Sequence, residues 1–191
     1  MILGIDLSLT STGAVLLEIL KDTFKIKAVE NIKTTPDMFW LDRINNIVEG
    51  IEHLLQVSGC GIIYMENYSF GSKFNREVVA EVGGVVKWRL GKGYGVVPFL
   101  VPPNTIKKFV TGRGRAPKRP EGETKTGWGK RWAMRKVEEE FDLKFNTHDE
   151  TDAFMVGYVG YCVERSKKDD EFYNSLNDYQ KEVVQKLIKE R

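Results

Sequence analysis

The chain predicts an α/β protein with five strands and interleaved helices, and three observations predict it. Residues 2–33 hold three β-type runs in close succession, at 2–6, 13–18 and 24–33, with Lys21-Asp22 near the turn between the last two. Two more apolar runs, 62–65 and 96–101, stand apart from these and from each other, separated by stretches of helical period. Two of the runs are closed by an acid: Asp6 in Gly4-Ile5-Asp6, and Glu66 in Tyr64-Met65-Glu66.

The first three strands, joined by short turns, predict an antiparallel meander. Residues 38–56 follow as an amphipathic helix, with Phe39, Ile44, Val48, Ile51 and Leu55 recurring at helical spacing. Gly59-Cys60-Gly61 then punctuates the chain before the fourth strand. Residues 74–90 read as a valine-rich helix. Gly83-Gly84 inside it costs helix propensity and suggests close packing against another element. The fifth strand is stopped by Pro102-Pro103, and a helical turn is expected at 105–110. Gly, Pro and charge dominate 112–129, which predicts a basic loop. Helices are expected at 130–141, 150–165 and 171–189. The 150–165 helix carries Ala153, Gly157 and Gly160 as a small-residue face. No internal repeat or linker appears, so 1–191 reads as a single domain with an extra C-terminal helix at 171–189.

A second acidic pair, Asp149 and Asp152, has i, i+3 spacing, which places both on one face of a helix start. Asp149 would also serve as a helix N-cap. Carboxylates gathered in one place resist joint ionisation. Divalent cations would relieve that repulsion, and hard oxygen donors suit Mg2+ or Mn2+.

The composition is ordinary for a globular domain, 41% hydrophobic and 29% charged over 191 residues, with a net charge of +2. Its distribution is informative. Eleven Lys and Arg fall between Lys107 and Lys136 against two acids, Glu121 and Glu123, a balance of +9 that leaves −7 for the remainder. Such a segment suggests a polyanionic partner, although a charge run is more often a solvated face. Cys60 and Cys162 have no ligand-like spacing and read as buried, reduced thiols. With no signal-like segment before the first strand and no membrane-length apolar run, a cytoplasmic protein is expected.

In this order the motifs resemble a RuvC-type Holliday junction resolvase of the RNase H-like superfamily. The resemblance spans roughly the first 165 residues. It is carried by Gly4-Ile5-Asp6 with Leu9-Thr10-Ser11-Thr12-Gly13, and by Tyr64-Met65-Glu66. Asn104-Thr105-Ile106-Lys107-Lys108 running into Gly112-Arg113-Gly114-Arg115-Ala116, and His148-Asp149-Glu150-Thr151-Asp152-Ala153, complete it. The resemblance implies a mixed five-stranded sheet flanked by helices. It also implies a crossover junction endodeoxyribonuclease that cuts four-way and other branched DNA. Because such a junction is nearly two-fold symmetric and one chain has one acidic set, a homodimer with paired cuts is expected. The helix at 74–90, with Gly83-Gly84 and its valines, is the candidate interface. Leu7-Ser8 stand where that family has Pro-Gly, and the segment from Ala116 to Lys130 is longer than in cellular enzymes. These departures look most like the phage-encoded branch, in which case the compartment would be the host cytoplasm.

On this resemblance Asp6, Glu66, Asp149 and Asp152 are the catalytic and metal-binding set. Two Mg2+ or Mn2+ ions per site, roughly 4 Å apart, would activate water and stabilise the leaving oxygen. Asp6 would bridge them. Lys107, Lys108, Arg113, Arg115 and Lys118 would contact phosphates, and either Lys118 or Lys130 would be the active-site lysine. Phe70 would stack at the junction centre, with Tyr68 equally readable as core. Trp132 reads as core, and Trp128 as core or a stacking surface. Two other readings stay open: a nuclease of the same fold acting on RNA–DNA hybrids or flaps, and an actin- or sugar-kinase-like phosphate-binding protein.

Overall fold

A computed structural model describes residues 1–67, 76–122 and 124–190. The chain runs β1 (Ile2–Asp6), β2 (Ser11–Ile19), β3 (Phe24–Lys33), α1 (Trp40–Ser58), β4 (Ile63–Glu66), α2 (Arg76–Tyr94), β5 (Phe99–Val101), α3 (Pro103–Thr111), α4 (Lys125–Phe141), α5 (His148–Ser166), α6 (Asp170–Ser175) and α7 (Asp178–Lys189). The five strands form one mixed sheet in the order β3-β2-β1-β4-β5. β1, β2 and β3 make the antiparallel meander, while β4 and β5 are added parallel to β1.

Alternation along the strands divides the apolar residues between two cores. Leu3, Ile5, Ile63 and Met65 face α1 and α2, with Ile47, Ile51, Val82 and Val86. Ile2 and Tyr64 face the opposite side, packed with Phe109 of α3, Val137 of α4, Phe154 and Val159 of α5 and Val184 of α7. Cys60 and Cys162 are buried free thiols. Among the described residues no helix is long and apolar enough to cross a membrane.

Most element boundaries lie within a few residues of the sequence expectation, and the differences have local causes. α4 begins at Lys125, inside the stretch read as a loop over 112–129, because Thr124 caps it by accepting from the Gly127 N–H at 3.1 Å. The single helix expected over 171–189 is two, α6 and α7. The break falls where Asn177 and Gln180 form a capping box that starts a new helix. Asp149 is not the N-cap of α5; Thr147 is, paired with Glu150 in a capping box. Trp132 is buried, as core packing predicts. Trp128 donates its indole N–H to the Pro117 carbonyl at 3.0 Å, tying the preceding segment to α4.

α5 lies directly on β1 and β2. A Cβ on Gly4 would collide with the Ala153 carbonyl and the Gly157 backbone. A Cβ on Gly13 would collide with the Asp149 carbonyl, and one on Gly160 with the Tyr64 ring. The small-residue face seen in the sequence is therefore matched by two glycines of the sheet. Gly84, by contrast, has open space where a Cβ would go.

This contrast sets a stability expectation. Gly13→Ala should destabilise the fold by about 1–3 kcal/mol, the usual cost of overpacking a tight contact. Gly84→Ala should stabilise it by up to about 1 kcal/mol through helix propensity. Denaturant unfolding of both variants checks the pair, and equal effects would show that α5 does not press on β2 as described.

Candidate active site

Asp6 is the last residue of β1 and Glu66 the last of β4. These strands are parallel neighbours, with Ile5 opposite Met65, so their terminal carboxylates emerge side by side. Asp6 alternates in phase with Ile2 and Gly4, and Glu66 with Tyr64, which points both toward α5. Asp6 also pairs with Gly13 across the β1–β2 ladder, and Gly13 is where the first turn of α5 touches the sheet. That contact brings Asp149 and Asp152 to the same rim. The four acids nominated from the sequence thus converge from three elements.

Their electrostatics report the crowding. Burial, then Glu66, Asp152 and Asp149 in turn, push the Asp6 carboxyl well above its ordinary value. Burial and Asp152 push Glu66 up, and burial does the same to Asp152. One cation opposes all three shifts: Lys107, which draws Asp6, Glu66 and Asp152 down again. The fold explains its place. β5 runs beside β4, with Val101 opposite Glu66, and Pro102-Pro103 turn the chain straight into α3, whose first turns carry Lys107. Lys107, expected from the resemblance to contact phosphates, faces the carboxylates.

The other basic residues are spread around this rim. Lys130 Nζ meets His148 Nε2, and Lys130 also draws Asp152 down. Lys118 is exposed on the segment before α4, as are Arg113 and Arg115. Lys108 points away from the acids and stands 4.0 Å from Glu182 of α7. Phe70 and Tyr68 lie outside the described residues. His148 Nε2 stands 2.9 Å from Asp149 Oδ1. Two further residues join the site that the sequence did not nominate as site residues. Ser11 donates to Asp149 Oδ2 at 2.5 Å, and Asn31 donates to the Thr147 cap at 3.0 Å.

Among the described residues no group of three or more His, Cys, Asp and Glu side chains is close enough together to enclose a metal ion. The donor set nonetheless has the chemistry a hard divalent cation takes. All its ligating atoms are carboxylate oxygens, and their mutual repulsion is what such an ion would relieve.

Fold and site together define a carboxylate-bearing protein with a mixed five-stranded sheet. The model of the family "Crossover junction endodeoxyribonuclease RuvC" matches residues 2–121, and the chain belongs to the RuvC family. A RuvC crossover junction endodeoxyribonuclease of Treponema denticola is 29% identical over 119 residues, 62% of this chain and 66% of that relative. Among solved structures, Thermus thermophilus RuvC in complex with a Holliday junction substrate superposes with a TM-score of 0.64 at 17% identity, covering 82% of this chain and 89% of that one. A second Thermus thermophilus RuvC structure gives a TM-score of 0.62 at 18% identity, over 86% of this chain and 96% of that one. The family match contains Asp6, Glu66 and Lys107 and stops short of Asp149 and Asp152. Divalent-metal dependence is general to this family.

The raised Asp6 carboxyl has a consequence for stability. Its folded-state value lies above the unfolded value of about 3.9. Ionised Asp6 therefore destabilises the metal-free fold, fully above its folded value and not at all below the unfolded one. Asp6→Asn without metal should melt about 2–4 °C above wild type at pH 7.5, a shift corresponding to roughly 1 kcal/mol in a chain of this size. The gap should close as pH falls toward 4. Thermal melts across pH in a chelating buffer check this, and a lower-melting Asp6→Asn at pH 7.5 contradicts the crowding.

Proposed function

We propose that this protein resolves Holliday junctions, and other branched DNA, by divalent-metal-dependent phosphodiester hydrolysis at the Asp6 cluster. The observation that carries the reading is the convergence of Asp6, Glu66, Asp149 and Asp152 beside Lys107 in a chain of the RuvC family. Asp6, flanked by the other three, is the best placed to serve two Mg2+ ions, with Mn2+ an alternative. Glu66, Asp152 and Asp149 would complete the two sites. When bound, such ions lower the pKa of a water nucleophile and stabilise charge on the leaving oxygen.

The protein's own residues supply the rest. Lys107 and Lys130 offer positive charge at the rim where a phosphate approaches the carboxylates. Arg113, Arg115 and Lys118, exposed on the segment beyond α3, would hold flanking phosphates and fix the register of the DNA without reading its sequence. Lys108, turned toward Glu182, contributes less.

Asp6→Asn separates chemistry from binding. It should lower cleavage of a four-way junction by at least about 100-fold, while junction binding persists or tightens through relief of negative charge. Cleavage assays with Mg2+ beside gel-shift titrations in Ca2+ measure both. Near wild-type cutting would remove Asp6 from the active site.

A four-way junction has near two-fold symmetry, so paired cuts call for two copies of a site, and a homodimer supplies them. We place the interface on the α1–α2 layer. Val82 and Val86 of α2 are buried in the protomer's own core, so that part of the helix is already used. Trp88, 64% exposed, and Val97, 63% exposed, remain free; Val97 sits against Gly91, one turn along α2 from Trp88. Light scattering should give twice the 21.9 kDa chain mass, and Trp88→Glu should give monomers that lose paired cutting. A wild type that is monomeric free and on junction DNA, yet cuts symmetrically, contradicts the dimer.

A further inference from the structure

Asp149 differs from the other three carboxylates in what holds it. Ser11 Oγ donates to its Oδ2 at 2.5 Å, and His148 Nε2 stands 2.9 Å from its Oδ1. Ser11 Oγ also lies 2.8 Å from Asn31 Oδ1. Asn31 Nδ2 in turn donates at 3.0 Å to Thr147 Oγ1, the N-cap of α5. Thr147 Oγ1 also takes the Glu150 N–H at 3.2 Å. Ser11 on β2 and Asn31 on β3 therefore both reach the helix start that carries Asp149, one at its carboxylate and the other at its cap.

The strand geometry gives these contacts a purpose. Ser11 and Gly13 are two residues apart on β2 and face the same side, toward α5. Gly13 is paired with Asp6 and pressed against the Asp149 backbone. Ser11 thus holds the Asp149 side chain from the same strand that neighbours Asp6. A serine hydroxyl has one proton to give, and two oxygens face it here. Asp149 Oδ2, at 2.5 Å, is the nearer acceptor and takes the proton, so Asn31 acts on the site through its own donation to the Thr147 cap.

We infer that Ser11 is a positioning residue for Asp149, with Asn31 holding the α5 cap in place. The inference rests on the reading of the four carboxylates as a metal site. It goes beyond that reading by assigning a role to two residues outside the acidic set. Without Ser11 the Asp149 carboxylate would keep only His148 and would turn away from the direction shared with Asp6 and Asp152. A purely structural role, in which the bond docks α5 on the sheet, predicts a loss of stability and no change in metal affinity.

The test is Mn2+ titration of the DNA-free protein, with free Mn2+ followed by electron paramagnetic resonance. Ser11→Ala should bind Mn2+ about 10-fold more weakly, the lower end of what removing an outer partner of a ligand costs. Ser11→Thr, which keeps the hydroxyl, should bind as wild type. In an Asp149→Asn background Ser11→Ala should change nothing further, because the group it positions is gone. Unchanged Mn2+ affinity in Ser11→Ala, or an equal loss in both backgrounds, overturns the role. Should Ser11→Ala fail to fold by circular dichroism, Asn31→Ala, at a half-exposed strand position, carries the same comparison, and wild-type affinity there overturns the proposal. Asp6→Asn in the same titration separates the two levels. If it binds Mn2+ as wild type does, the metal reading itself fails, and the Ser11 role with it. If Asp6→Asn loses binding while Ser11→Ala does not, only the Ser11 role fails.

Discussion

The contact between α5 and the first two strands is the constraint on which the rest depends. A helix lying on a sheet normally stands off by the length of the side chains between them. Here Gly4 and Gly13 in the sheet, with Ala153 and Gly157 in the helix, remove those side chains, so backbone meets backbone. The helix start is thereby lowered onto the rim where β1 and β4 end. A longer side chain at Gly13 would lift the Asp149 carbonyl, and with it the acidic turn, away from Asp6. Close packing is stiff on this scale, which is why a catalytic offset can be set by residues that carry no chemistry.

That closeness has an electrostatic cost. Four carboxylates brought together, three of them raised in pKa mainly by burial, are a destabilising arrangement in the absence of cations. Two features offset part of it. Asp149 lies in the first turn of α5, where the helix dipole favours negative charge, and Lys107 faces the cluster from α3. The remaining repulsion is what a bound divalent cation would relieve. On the proposed reading, stability given up at this place would be recovered by binding.

The placement of Lys107 shows why a residue's role is decided by topology rather than by its neighbours in sequence. Lys107 and Lys108 are adjacent and chemically alike. α3 turns one toward the carboxylates and the other toward Glu182 of α7. Successive residues on a helix point about 100° apart, and only the docking of α3 beside β5 decides which of them meets the acids. The same holds for the two lysines considered for the rim. Lys130 reaches His148 because α4 starts at Lys125 and runs past the α5 cap. Lys118 stays exposed in the segment before it.

Much of this protein was legible in the chain itself. The three meander strands, the acids closing β1 and β4, and the small-residue face of α5 follow from short-range periodicity, which secondary structure obeys locally. So did the i, i+3 pairing of Asp149 with Asp152, because helical spacing needs no tertiary information. The α4 start and the division between α6 and α7 were missed, since the Thr124 and Asn177 caps are weak signals within polar stretches. Ser11, although inside the opening motif, and Asn31 had no nomination as site residues, for a stronger reason. Ser11 is 138 residues from Asp149 in sequence, and Asn31 is 116 from Thr147. Nothing in a serine on a strand announces the carboxylate it will meet. The sequence determined which residues could do acid–metal chemistry. The tertiary structure, through glycine contacts that bring β1, β2 and α5 together, decided which of them share a site and what holds them there.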